Sequence, residues 1–110
     1  MKVIYNRFIP FKGFIACNLF GVVFVRKSCA DEVDVRVLRH EYVHTLQMKE
    51  LWYIGFYILY ALFYIKNLTK KHMDDIEAYH AIPFEREAFY NEDNEFYSWI
   101  RPKFNWRKYI

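Results

Sequence analysis

Only two cysteines, Cys17 and Cys29, occur in the 110 residues. Two thiols define no disulfide framework, and their spacing is not that of a CxxC zinc knuckle, so unpaired thiols are expected. A dense basic stripe is also missing. The net charge of +3 is dispersed along the chain, whereas a nucleic-acid face concentrates Lys and Arg, and no nucleic-acid partner is expected. Nor is there an apolar run of membrane-spanning length. The charge-free stretch Leu51–Ile65 rises about 23 Å as a helix, short of the roughly 30 Å hydrocarbon core. Phe14 to Val25 follows Lys2, Arg7 and Lys12 as the apolar part of a signal peptide would, but no small-x-small cleavage site comes after it, and Arg26-Lys27 does. The chain therefore reads as unprocessed, with a cytoplasmic or membrane-peripheral location favoured.

What is abundant is apolar and aromatic. Hydrophobic residues make up 55% and aromatics 22%, with ten Tyr and eleven Phe, which excludes a disordered chain. The length suits one domain, residues 1–110, with one modest core. The aromatic content exceeds what such a core needs, so some of it should face a peptide or protein partner, a lipid interface or a second copy of the chain.

Val3 to Lys27 is rich in β-branched and aromatic residues, is broken at Pro10 and Gly13 and has a turn signal at Asn18 to Gly21; two or three short strands or a hairpin are expected there. Helices should follow. Ser28 to Asp31 offers capping residues, placing a helix start near Ala30. Leu51 to Ile65 forms a second helix, apolar nearly all round, with an aliphatic face at Leu51, Ile54, Ile58, Leu62 and Ile65 and a tyrosine stripe at Tyr53, Tyr57, Tyr60 and Tyr64. It can serve as a core helix whose hydroxyls find partners, or lie against a membrane surface or a second subunit. Ile76 to Ala81 is a third helix, ended ahead of Pro83, and Phe84 to about Ser98 a fourth. The tail Trp99 to Ile110 interleaves aromatic and basic residues and either docks on its own domain or meets anionic head groups. The expected class is α+β, short N-terminal strands followed by three to four helices.

The sharpest motif is His40-Glu41-Tyr42-Val43-His44. In a helix the two histidines lie one turn apart and project from one face toward a single ion, while Glu41 can reach a metal-held water without being a ligand. Zinc is the expected ion, His40 and His44 two of its ligands and Glu41 the general base. A catalytic zinc needs a third protein ligand, to come from a separate helix; Glu85, Glu87, His72 and His80 are the candidates.

At this point the chain resembles the gluzincin branch of zinc metallopeptidases, in which HExxH on one helix is completed by a glutamate on a later one. Glu85-Arg86-Glu87-Ala88 is similar to the ExxA stretch of several such families. HExxHxxQ at His40 to Gln47, followed by YxxIPFEREA from Tyr79, looks like a group of small bacterial proteins of metallopeptidase type. The resemblance implies a minimal zincin-like core and assigns His40, His44 and Glu85 as ligands. The chain departs from the pattern at Phe89, where many gluzincins place an aspartate that orients a ligating histidine; Asp93, Glu92 or Asp75 would have to substitute. Gln47 can also orient a ligand or line the cleft.

The implied activity is peptide hydrolysis, with Tyr79 or His80 the candidate donor to the oxyanion. An extended substrate would lie along an edge strand, for which Val22 to Val25 is the available run. Two other readings are open. Zinc can brace a catalytically silent domain, or the aromatic helix and basic tail can make this a membrane-peripheral or interaction protein.

Overall fold

A computed structural model describes residues 2–9, 15–70 and 72–110; the expected break at Pro10 and Gly13 lies outside them. The fold is α+β, with short strands first and helices after. Strands β1 (Lys2–Asn6), β2 (Ala16–Leu19) and β3 (Val22–Arg26) form a sheet ordered β1-β3-β2, β3 running parallel to β1 and antiparallel to β2. β2 and β3 are joined by Phe20-Gly21, both at positive φ (52° and 88°), as a two-residue hairpin of matching twist requires. Asn18 Oδ1 accepts from the Gly21 amide, and Phe20 rests on the ring of Tyr57 at 5.1 Å. Along β3 the alternation is strict: Val23 and Val25 are fully buried while their neighbours are not.

One expectation is corrected here. Val22 to Val25 was to be a substrate-binding edge, yet β3 is the central strand, paired on both sides. Among the described residues the unpaired edge beside the HExxH helix belongs to β2, whose Asn18 amide donates to the Glu41 carbonyl (2.8 Å) and to Thr45 Oγ1 (2.7 Å).

Helix α1 (Val35–Glu50) carries the motif. It starts later than Ala30, because Lys27–Glu32 coils as a 3-10 turn and Val33 is extended. Asp34 then caps the helix by accepting from the Val37 amide at 3.0 Å, a stronger start than Ser28 to Asp31 offers. Helix α2 (Ile54–Leu68) follows a tight turn, α3 (Asp75–His80) is capped by Asp74, and α4 (Pro83–Asn91) opens with proline at its first position. The fourth helix was expected to reach Ser98 but ends at Asn91 and resumes as α5 (Tyr97–Ile100). Glu92, Asp93 and Glu95 oppose the dipole at its C-terminus, and the Asn94 side chain accepts from the Phe96 amide in place of helical bonding.

The core lies among α1, α2, α4 and the C-terminal turn: Met48, Phe56, Ile82, Phe84 and Trp106 pack together, with Phe84 4.7 Å from Phe56 and 5.0 Å from Trp106. Trp106 is thus an inward anchor, and this part of the tail docks on its own domain. Arg101 pins the approach to it. Its guanidinium, 4% exposed, donates to Glu87 (2.6 and 3.1 Å) and to Glu50 (3.0 and 2.9 Å). Glu87 is completely buried and also accepts from Gln47 and Tyr97. Removing one partner from such a buried set leaves uncompensated charge. Arg101→Ala is therefore expected to lower the unfolding free energy by about 3–5 kcal/mol, measured by urea denaturation; a loss no larger than that of an exposed ion pair would mean the network is wet.

Candidate metal centre

His40 and His44 stand one turn apart on α1, and the first turn of α4 delivers Glu85 to them. Glu85 Oε1 lies 3.0 Å from His40 Nε2 and 3.0 Å from His44 Nε2, and the two nitrogens are 3.2 Å apart. Three donor atoms around one tetrahedral ion at about 2.0–2.1 Å would sit about 3.3 Å from one another, so the triangle needs to open by only a few tenths of an ångström. Among the described residues these three form the group able to hold a metal.

The far side of each imidazole is fixed. Gln47 donates its amide nitrogen to the Phe84 carbonyl (3.1 Å) and to Glu87 Oε1 (2.8 Å), which settles its orientation and turns its oxygen to His44 Nδ1 at 2.8 Å. An amide oxygen only accepts, so Nδ1 carries the hydrogen, and neutral His44 presents its Nε2 lone pair to the centre. His40 Nδ1 meets Glu92 Oε2 at 3.1 Å, with the same consequence. Glu92 thus occupies the role that Phe89 cannot, while Phe89 packs its ring against His40 at 4.3 Å.

The other candidates are elsewhere. Glu87, the reserve ligand, is committed to Arg101, Gln47 and Tyr97. His72 is exposed, and His80 stacks on Phe89 and Tyr79 at the groove wall. Asp93 pairs with Arg36. Tyr79 has its hydroxyl turned to Glu85, and Tyr60 donates to Glu85 Oε2 at 2.7 Å. Tyr60 was legible only as part of a stripe; nothing in its spacing marked it as a partner of Glu85.

The cluster borders a groove of about 1090 Å³, walled by β2, α1, α2, α3 and α4 and lined mostly by apolar and aromatic side chains. Glu41, 8% exposed, lines it too, and its carboxylate makes no side-chain hydrogen bond among the described residues. Burial pushes its carboxyl up, against the pull of His44 and His40. Cys17 also lines the groove, but burial, aided by Glu41, pushes its thiol up to about 11, so it is protonated at neutral pH and no nucleophile. The chain matches no family model, no curated protein and no solved structure, so this geometry alone carries the functional reading.

Metal and proton compete for one position. Burial favours neutral His44, yet the Glu85 carboxylate overrides it and pushes the imidazole up to about 9; Glu85, buried but facing His44 and His40, is held far below the usual carboxylate range. Binding a divalent ion at pH 7 should therefore release close to one proton from His44, read as a slope in calorimetric titrations across buffers of different ionisation enthalpy. In the metal-free protein the stabilisation from His44 is complete below pH 6.5, its ordinary value, and is lost as the pH rises through about 9. That from Glu85 is present above 4.5 and lost below it. Thermal melts in chelator should show a plateau between about pH 4.5 and 6.5 and a decline toward pH 9; a melting temperature that rises from pH 7 to 9 would contradict the assignment.

Proposed function

We propose that this protein is a small zinc-dependent peptidase of gluzincin type, with His40, His44 and Glu85 as ligands and Glu41 as general base. One observation carries the reading: three donor atoms stand 3.0–3.2 Å apart, two of them on imidazoles whose Nδ1 atoms are held by Gln47 and Glu92, at the wall of a groove. Imidazole and carboxylate donors in this number suit zinc.

When bound, such an ion polarises a carbonyl and lowers the pKa of a water at its open position. The chain's own residues do the rest. Glu41, raised in proton affinity and free of side-chain partners among the described residues, takes a proton from the attacking water and returns it to the departing amine. The β2 edge offers backbone groups to an extended peptide, and the apolar groove excludes water from it. Tyr60 and Tyr79 flank Glu85 on the groove side. Tyr60, at 2.7 Å, holds the ligand carboxylate; Tyr79, whose hydroxyl is turned to Glu85, would have to swing its one hydrogen from that carboxylate to serve as donor for the developing oxyanion.

A zinc-braced, catalytically silent domain is the second reading, favoured by the way His40, His44 and Glu85 tie α1 to α4. Glu41 separates the two, since it adds nothing to a brace. Purified protein is expected to hold one zinc, lost in His40→Ala, His44→Ala and Glu85→Ala. Glu41→Gln should keep the metal and lower turnover of a peptide library by about a hundredfold or more. Tyr79→Phe should lower kcat by about a hundredfold at unchanged metal content, whereas Tyr60→Phe should weaken zinc retention about tenfold. Wild-type protein that holds zinc and cleaves nothing would leave the brace.

A further inference from the structure

The face of α2 turned away from the core is a ridge of aliphatic side chains. Ile54, Ile58, Leu62 and Ile65 are 56–67% exposed, and at 100° per residue they fall within one narrow strip, opposite buried Phe56 and Asn67. The strip runs for about 17 Å without a polar group. Its N-terminal end is marked by Trp52, 87% exposed.

The turn that presents Trp52 is strained. Trp52 and Tyr53 both have positive φ, 58° and 60°, at about 1–2 kcal/mol each for residues with a Cβ. Tyr53 recovers part of this by packing near Phe20. The Trp52 carbonyl accepts from the Ile54 amide at 2.6 Å, but its indole, 87% exposed, has no ring contact among the described residues, and a smaller residue would make the same turn. A large indole presented to solvent from a strained turn points to a contact outside the molecule.

Charge decides between possible occupants. Residues 51–73 contain no Asp or Glu, Lys66 and Lys70 are exposed at the C-terminal end of the ridge, and Lys49 is exposed ahead of Trp52. The nearest upstream acid, Glu50, is taken up by Arg101. Downstream, α3 with its carboxylates packs on the Asn67 side, where the Asn67 amide donates to the Ala78 carbonyl, away from the ridge. Against a second copy's ridge these lysines would meet only lysines, whereas anionic head groups neutralise them while acyl chains take up the aliphatic strip. No single helix among the described residues is long and apolar enough to cross a membrane, and a ridge on one face of a packed helix needs only the boundary between head groups and acyl chains of one leaflet. We infer that α2 is a monotopic docking ridge for an anionic lipid surface, with Trp52 at the interface and Lys49, Lys66 and Lys70 over the head groups.

The full chain is tested with phosphatidylcholine vesicles containing phosphatidylserine, and with phosphatidylcholine alone. Binding by co-sedimentation should require the anionic lipid and weaken at high salt, and brominated acyl chains should quench a tryptophan signal that Trp52→Phe removes. Ile58→Glu with Leu62→Glu should reduce partitioning roughly a hundredfold; both positions are exposed, so the melting temperature and the metal content stay at wild-type values. The inference falls if the protein does not partition, if the double variant binds as well as wild type, or if binding is equal on phosphatidylcholine alone. It falls equally if sedimentation without lipid reveals a dimer dispersed by the same two substitutions, which would give the ridge to a second copy. Loss of metal in His40→Ala leaves the lipid result unchanged, so the two proposals fail separately.

Discussion

Two carboxylates near the start of α4, Glu85 in its first turn and Glu87 just beyond it, are buried to 4% and 0% exposure, and a buried charge must be compensated where it lies. Two residues apart on a helix, they point in different directions and recruit different partners. Glu85 draws His40, His44 and Tyr60; Glu87 draws Arg101, Tyr97 and Gln47. Gln47 is the joint between the sets, with its oxygen on His44 and its nitrogen on Glu87. The orientation of a candidate metal ligand is thereby tied, through two side chains, to the segment that carries Arg101. In a domain of 110 residues, where apolar burial alone leaves little surplus, such a network also explains how α1, α4 and the C-terminal segment hold one arrangement.

Helix α2 works on both sides. Its inner face supplies Phe56 to the core and the hydroxyls of Tyr57 and Tyr60 to the sheet and the cluster: Tyr57 accepts from the Phe20 amide at 3.0 Å, and Tyr60 donates to Glu85. Its outer face is the aliphatic ridge. A helix apolar all round is ordinarily covered on every side, so the bare ridge is the exception that calls for a partner. One helix diameter, about 10 Å, separates that ridge from the groove wall, which would bring a groove suited to apolar side chains close to the lipid.

The histidine spacing was legible because a helix turn is a fixed distance, and a helix opening at Pro83 was legible because proline suits the first helical position; Glu85 as the third member came only from the resemblance to gluzincins, since neither signal brings α4 to α1. What pattern reading could not supply was contact between elements. Phe89 leaves one imidazole without its usual partner, and Glu92 takes that place only because α4 ends at Asn91 and the chain turns back, a break driven by clustered carboxylates that a periodic pattern passes over. Glu87 and Glu85 look alike in sequence, and their roles separate only once Arg101 arrives from fourteen residues away. The β3 run is the most β-favouring in the chain and for that reason central; the weaker β2, with its Asn18 side chain on α1, is left at the edge.

The position of the cluster bears on what a bound ion would do. A structural zinc closes its fourth corner with a protein ligand, whereas a catalytic one leaves it to water. Among the described residues no fourth His, Cys, Asp or Glu joins the three, and the group borders a groove much larger than a water molecule. The nearest acidic neighbour in sequence, Glu41, lies outside that cluster and forms no ion pair among the described residues; it is a nearly buried carboxylate raised in proton affinity by its burial. Keeping such a group unpaired costs stability, and a brace gains nothing from it. Under the proposed hydrolase reading, a base beside an open coordination position would use that same high affinity directly, because the proton it would take comes from the attacking water.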